Sequence, residues 1–365
     1  MEAADGLGVH MHGVNLTLVA NNPRLIDYAR DHLGSLVVPP VEVPDLLVRC
    51  HWRDGEWDPE GNPFPTDGPL HVVGNRMLGS SDELVWLDTL RMKGLQLRFR
   101  RREGRFVFDV AYRFHAKEGK VSSLLAYEHK KYFSLMRYLV YHPLIWYLER
   151  SRGWTLLHAS ALDSVEGGII IGGLAGVGKS TTCVALTQRP GITLVSENLL
   201  LTDGEYIYSC YEPIRLDQGS LAALGEGLTG LTRMPFPEEA KEKWLFRPTD
   251  DDLPERVKPA VLFLPRFAPR RYLRQLAPDL AAEKVIAING LVRELDDYNW
   301  YASALNMTWP RTGQAAQRVA VLGQLCRTVL CFELGIDRSA GVEAVVEDIL
   351  TALAQCPRPL AESRR

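Results

Sequence analysis

Residues 154–205 read WTLLHASALDSVEGGIIIGGLAGVGKSTTCVALTQRPGITLVSENLLLTDGE, and this run decides the fold. At its centre, residues 173–180 spell G-L-A-G-V-G-K-S and fill every fixed position of the G-x-x-x-x-G-K-[ST] phosphate loop. Each residue type has a physical reason. Gly173, Gly176 and Gly178 let the backbone turn tightly, so that the N–H groups of Ala175 through Lys179 converge on phosphate oxygens. Lys179 brings a point charge to the β- and γ-phosphates, and the Ser180 hydroxyl is a ligand for Mg²⁺. A helix beginning at Lys179, with Ser180 and Thr181 in its first turn, adds the positive end of its dipole to the same place.

The surroundings support the motif. Apolar residues 168–171 form a strand that enters the loop, and 179–188 form a helix that leaves it. Upstream, 156–162 reads as one further strand, joined to 168–171 by the turn Val165-Glu166-Gly167-Gly168. A hairpin there implies an antiparallel neighbour beside the loop strand, hence a mixed sheet. Downstream come a strand at 192–195, the tripeptide Ser196-Glu197-Asn198, and the apolar run 199–201. An acidic residue at the end of the strand beside a phosphate loop is where Mg²⁺ and its waters are held, so Ser180 and Glu197 are the expected metal ligands and Mg·ATP the expected ligand.

Three segments, L-H-A-S-A-L (157–162), G-L-A-G-V-G-K-S-T-T (173–182) and L-V-S-E-N-L-L-L (194–201), resemble the HPr kinase/phosphorylase family and its HPr-kinase-like relatives. The resemblance covers roughly 154–355, counting a family-like ending at 330–334, and is specific only over 157–205. It implies an α/β nucleotide-binding domain of the type shared with phosphoenolpyruvate carboxykinases, carrying a smaller N-terminal α+β domain. It further implies an ATP-dependent kinase acting on a hydroxyl of a protein, peptide or small molecule. In that family a pair of aspartates closes the third segment, one polarising the acceptor hydroxyl and the other assisting the metal. Here Glu197 stands at the first position and Asn198 at the second, and His158 stands where the family has a histidine ahead of the loop. Two departures follow. Asn198 takes up no proton, so the second acid is vacant or its role has passed to Glu197. The E-x-R-G-x-G signature of HPr kinases proper is missing, since the one Arg-Gly pair is Arg152-Gly153, which argues against HPr as substrate.

Expected roles are therefore Glu197 as the group that orients or deprotonates the acceptor, His158 as its assistant or simply a core histidine, and Arg215 as a charge stabiliser or an ordinary ion-pair partner. Lys243 and one of Arg266, Arg270, Arg271 and Arg274 are weaker phosphate candidates. An alternative in a different class is a nucleotide-gated binding or assembly module with little phosphotransfer, for which Asn198 is the support. A carboxykinase-type metabolic enzyme fits less well, because the chain is short for that class.

The 365 residues, 46% apolar and 24% charged with net charge −3, describe an ordinary globular chain with no global pull toward nucleic acid or membrane. Six cysteines without a C-x-x-C pair read as buried thiols. The N-terminus lacks the layout of a signal peptide, and no apolar run reaches the ~18 residues of a membrane span, so a cytoplasmic setting is expected. The expected layout is an N-terminal α+β domain over 1–130, a connecting helix over 131–153 kinked at Pro143, a phosphate-loop domain over 154–356, and a disordered tail over 357–365. A homo-oligomer is the expected assembly, and the N-terminal domain suits recruitment of a partner. Within it, Arg98, Arg100, Arg101, Arg102 and Arg105 cluster at a hairpin and read as a solvated strand face, or else as a surface for an acidic partner.

Overall fold

The computed structural model describes residues 5–54, 62–65, 68–74, 76–87, 92–102, 104–114, 124–225, 227–236, 241–247 and 254–356. The expected tail over 357–365 lies outside them. The chain is α/β with mixed sheets and divides into two compact units. One comprises Met1–Ser151 with Asp297–Thr312, the other Arg152–Asp296 with Gly313–Arg365.

The first unit is built on a nine-stranded sheet. Its middle is parallel, with Leu46–Asp54 between Val14–Ala20 and Arg105–Phe114, and the flanking pairs are antiparallel. Asn22 caps the helix Pro23–Leu33 with Pro23 in its first turn, and Gly34 ends it at φ 51°. The connecting helix starts earlier than expected, at Leu124, and the break at Pro143 takes the form of a π-turn over Arg137–Tyr141. Proline has no N–H to offer, and the His142 N–H reaches back five residues to the Arg137 carbonyl.

Two expectations change in this unit. Arg98 and Arg100 do not lie on a solvated face: Arg98 is 4% exposed and, with Arg49, holds the buried Asp109 carboxylate at 2.7 Å. Residues 297–312, expected in the phosphate-loop domain, pack in this unit. The Tyr298 hydroxyl donates to Glu149 at 2.6 Å, and the rings of Tyr301 and Trp309 meet Phe99 and Phe106 edge-on. Aromatic surface of this size is worth more buried than exposed, and that term outweighs sequence order.

The second unit is centred on a six-stranded sheet in the order Thr193–Ser196, Ala159–Asp163, Gly168–Gly172, Pro259–Phe267, Leu330–Ile336, Tyr272–Leu276. The middle three strands are parallel and the outer ones antiparallel, as the hairpin at 164–167 requires. Strand alternation feeds two cores. Ile169, Ile171 and Phe263 face the helices Lys179–Thr187 and Gly341–Leu353, while Ile170 and Leu262 face Pro278–Leu291 and Gln314–Thr328. All six cysteines are buried and free.

The expected single strand over 156–162 is two. Thr155–Leu157 belongs to a separate four-stranded sheet and pairs with Leu200–Thr202, whereas Ala159–Asp163 pairs with Thr193–Ser196 in the main sheet. Both strands thus leave one sheet for the other at the same level. The residues at the parting are His158 on one side and Glu197, Asn198 and Leu199 on the other. Residues 243–246 form the middle strand of a three-stranded sheet between Ile214–Asp217 and Leu231–Arg233.

Candidate functional site

The parting of the two sheets opens onto the glycine-rich loop. Gly173, Gly176 and Gly178 have φ of 117°, 81° and 93°, in the region that side chains resist, so the loop needs glycine at these positions. The helix Lys179–Thr187 follows directly with Gly178 as its N-cap. Its free N–H groups and its dipole favour an anion at this end.

The Lys179 ammonium folds back over the loop and donates to the carbonyls of Gly173 at 2.9 Å and Leu174 at 3.0 Å. Burial pulls its pKa down to about 8, against the upward pull of Glu197 and Glu294. One of its three donors is left for a ligand. The neighbouring Ser180 hydroxyl donates to Glu197 Oε1 at 2.6 Å, and Glu197 is 4% exposed. Burial raises the Glu197 pKa, the Ser180 bond and Arg215 draw it down, and Glu212 pushes it up. Next along, Asn198 has φ 69°, and the Leu199 N–H bonds the Glu197 carbonyl at 2.8 Å. This is a tight γ-turn of the positive-φ kind, a strained geometry that holds the Glu197 side chain toward the cavity. The Asn198 amide donates to Glu212 Oε2 at 3.1 Å.

His158, at the break in its strand, is 4% exposed. Its N–H donates to Asn289 Oδ1 and Asn289 Nδ2 donates to the Leu156 carbonyl, both at 3.2 Å, so one carboxamide bridges the gap where ladder bonds stop. Both ring nitrogens are buried without a hydrogen bond of normal geometry among the described residues. Burial, then Lys179, pulls the ring pKa down to about 4, with weaker opposing pulls from Glu294 and the Asn198 main chain. The imidazole is neutral at pH 7.

These groups line one cavity of about 770 Å³ within the second unit, in the range of ~300–1,000 Å³ that small ligands occupy. His158, Ala175, Gly176, Gly178, Lys179, Ser180, Thr181, Glu197 and Arg215 all reach it, and so do Asn198 and Lys243. Of the expected site residues, Gly173 and Val177 are the two outside the lining. Gly173 shapes the loop from behind, where an added Cβ would press on the Val177 side chain at 3.2 Å. The four arginines at 266, 270, 271 and 274 do not line it: Arg271 is taken by Asp348 at 2.8 Å and Arg274 by Glu333 at 2.7 Å. Seven residues missed in the sequence also line it: Asp217, Gly219, Ser220, Ala223, Phe267, Glu294 and Arg338. The Thr181 hydroxyl donates to Ser220 Oγ at 3.0 Å, and Asp217 accepts from the Ser220 N–H at 2.9 Å as the cap of the helix Gln218–Leu224. That helix stops at Gly225. A helix-cap signal at Asp217-Gln218-Gly219-Ser220 is legible in sequence, but nothing local says which cavity it faces.

Comparison with known proteins finds no family model that matches the chain and no curated protein significantly similar to it.

The Ser180–Glu197 pair has nearly the spacing of two neighbouring Mg²⁺ ligands. Two neighbouring oxygens on an octahedral Mg²⁺ at 2.0–2.1 Å stand about 2.9 Å apart. The observed 2.6 Å is close enough that exchanging the shared proton for the cation needs a few tenths of an ångström of movement. Among the described residues no group of three or more His, Cys, Asp or Glu side chains gathers into a metal site. Mg²⁺ bound with nucleotide does not require one, since phosphate and water oxygens complete its shell.

Proposed function

We propose that the chain is an ATP-dependent phosphotransferase of the HPr-kinase-like type, with a phosphate loop at 173–180, moving the γ-phosphoryl group to a hydroxyl of a protein, peptide or small molecule. The observation that carries this reading is the 2.6 Å contact between Ser180 of the glycine-rich loop and the buried carboxylate of Glu197, in a cavity shared with Lys179 and Arg215.

In this reading the loop N–H groups and Lys179 hold the β- and γ-phosphates, and Arg215 faces charge that grows on the transferring group. Mg²⁺ held by Ser180 and Glu197 would neutralise phosphate charge. The acceptor oxygen bonds to the γ-phosphorus as the bond from that phosphorus to the β–γ bridging oxygen breaks. ADP leaves, and the acceptor proton passes to the second oxygen of Glu197. Without the metal, burial raises the Glu197 pKa. Glu212, held by Asn198, adds to that rise. A bound Mg²⁺ would lower that pKa, so in the loaded site the carboxylate would orient the acceptor hydroxyl and take its proton only as the transfer proceeds. Neutral His158 beside the loop leaves the charge balance to Lys179 and Arg215.

Transfer from γ-labelled ATP with Mg²⁺ into an extract of the source cells, with Lys179→Ala as blank, tests the proposal. Label in a protein, peptide or metabolite that vanishes in the blank supports it. ATP binding without any label favours the nucleotide-gated binding module, the reading supported by the missing proton acceptor at Asn198.

A further inference from the structure

Phe267 closes the strand Pro259–Phe267 and is 38% exposed, an unusual state for a phenyl ring at the end of a buried strand. It lines the cavity, where it is the only Phe, Tyr or Trp side chain among the described lining residues. The Arg338 guanidinium carbon lies over it, 3.8 Å from the ring centroid. Arg338 also lines the cavity, and among the described residues it has no carboxylate partner.

Topology explains how they meet. The strand Pro259–Phe267 runs parallel to Gly168–Gly172, with Phe263 level with Ile171, and continues four residues beyond that point. Phe267 therefore stands one strand over from the glycine-rich loop, at the same height above the sheet. The next parallel strand, Leu330–Ile336, places Ile336 level with Phe267, and Arg338 follows in the turn. Ligands of open parallel sheets bind beyond the carboxyl ends of the strands. From the loop outward, those ends carry the phosphate-binding elements, then an aromatic ring, then a guanidinium.

We infer that the Phe267–Arg338 pair is the platform on which the nucleobase of the bound nucleotide stacks, an inference that rests on the nucleotide reading above. A purine is the class of ring it fits best. Its large π-face gains dispersion against phenyl and guanidinium planes alike, and such stacking tolerates any purine because every base has a π-face. Solitary surface cation–π pairs are common, about one in every 70–80 residues. This one differs in opening onto the same cavity as Lys179 and in leaving its arginine without an acid.

The test is calorimetric titration of the full chain with Mg·ATP and, separately, with inorganic tripolyphosphate and Mg²⁺. Phe267→Ala is expected to weaken ATP binding roughly 10-fold or more and to leave tripolyphosphate binding within twofold of wild type. Phe267→Trp is expected to show fluorescence quenched by ATP and not by tripolyphosphate. Wild-type protein that binds tripolyphosphate as tightly as ATP, or a Phe267→Ala variant that binds ATP normally, overturns the platform and leaves the phosphate site standing. Equal loss of both ligands in Phe267→Ala also overturns it, since that marks a structural role. Wild-type protein that binds neither ligand overturns the nucleotide reading itself.

Discussion

The side-chain amide of Asn198 donates to Glu212 Oε2 at 3.1 Å, and through that bond a carboxylate fourteen residues downstream is held beside Glu197. Glu212 pushes the Glu197 pKa up. Glu212→Gln should therefore move the acid limb of the kcat/KM–pH profile to lower pH. Asn198→Asp adds a carboxylate and should move it to higher pH. A profile that shifts the same way in both variants, or in neither, would contradict the assignment of Glu197 as base.

Glu197→Gln should lower phosphoryl transfer by about 10²–10⁴ while changing ATP affinity only a few-fold. Ser180→Ala has a different signature. It strips a buried carboxylate of its hydrogen bond, which costs about 1–3 kcal/mol, readable as a lower urea midpoint. Glu197→Gln keeps an oxygen to accept from Ser180 and removes a desolvated carboxylate, and should unfold no earlier than wild type.

Two of the buried histidines, His142 and His158, set the response to acid. His158 and His142 have pKa values pulled from 6.5 down to about 4 and about 3, chiefly by burial. Below pH 6.5 the unfolded chain takes protons that the folded one refuses, so stability falls as pH drops through this window. Each histidine should cost about 2–3 kcal/mol between pH 6.5 and 4.5. His158→Gln should flatten that slope in urea titrations. An unchanged slope would mean that the His158 ring protonates in the fold.

Asn289→Ala should expose the weak point of the second unit. It removes both hydrogen bonds that span the strand break, at a cost of about 1–3 kcal/mol. Amide exchange at His158 should quicken more than exchange in the strand Gly168–Gly172. Uniform quickening across both would argue that Asn289 serves only global stability.

In the first unit, Asp109 carries the charge balance of the sheet. Its side chain has no solvent exposure and is held by Arg49 and Arg98 at 2.7 Å. Asp109→Ala leaves the buried Arg98 guanidinium without its nearest carboxylate, beside Arg49 and Arg100. It should destabilise by about 3–5 kcal/mol, measured as a shift in denaturant midpoint. Folding at wild-type stability would show that water reaches the cluster.

The parts of the site legible in sequence were those written locally. The positive φ values of Gly173, Gly176 and Gly178, the helix at Lys179 and the mixed pairing around 168–172 all follow from residue types within a few positions of one another. What failed was whatever depended on partners far along the chain. The run 156–162 is evenly apolar, so nothing in it marks His158 as the point of departure. The signal lies in the matching break at 197–199 and in Asn289, 131 residues away. Arg98 looked solvated because hairpin arginines usually are, and its burial depends on Asp109 across the strand pair. Arg338 was out of view because its partner, Phe267, lies seventy-one positions upstream and meets it only through sheet order.

The shared parting of the two sheets also limits how this region changes length. The ladder at Thr155–Leu157 with Leu200–Thr202 and the pair Ala161–Ser196 keep one register across the gap, which sets Leu199 opposite His158 and Glu197 opposite Ser160, before a bulge between Ala161 and Leu162 shifts the rest of the second ladder. Inserting or deleting one residue within 155–163 would turn every later side chain to the opposite face. The break could be kept only by a compensating change within 193–202. The turn at 164–167 lies outside this constraint. Homologous chains should therefore vary in length at the turn, and change at the parting only in pairs.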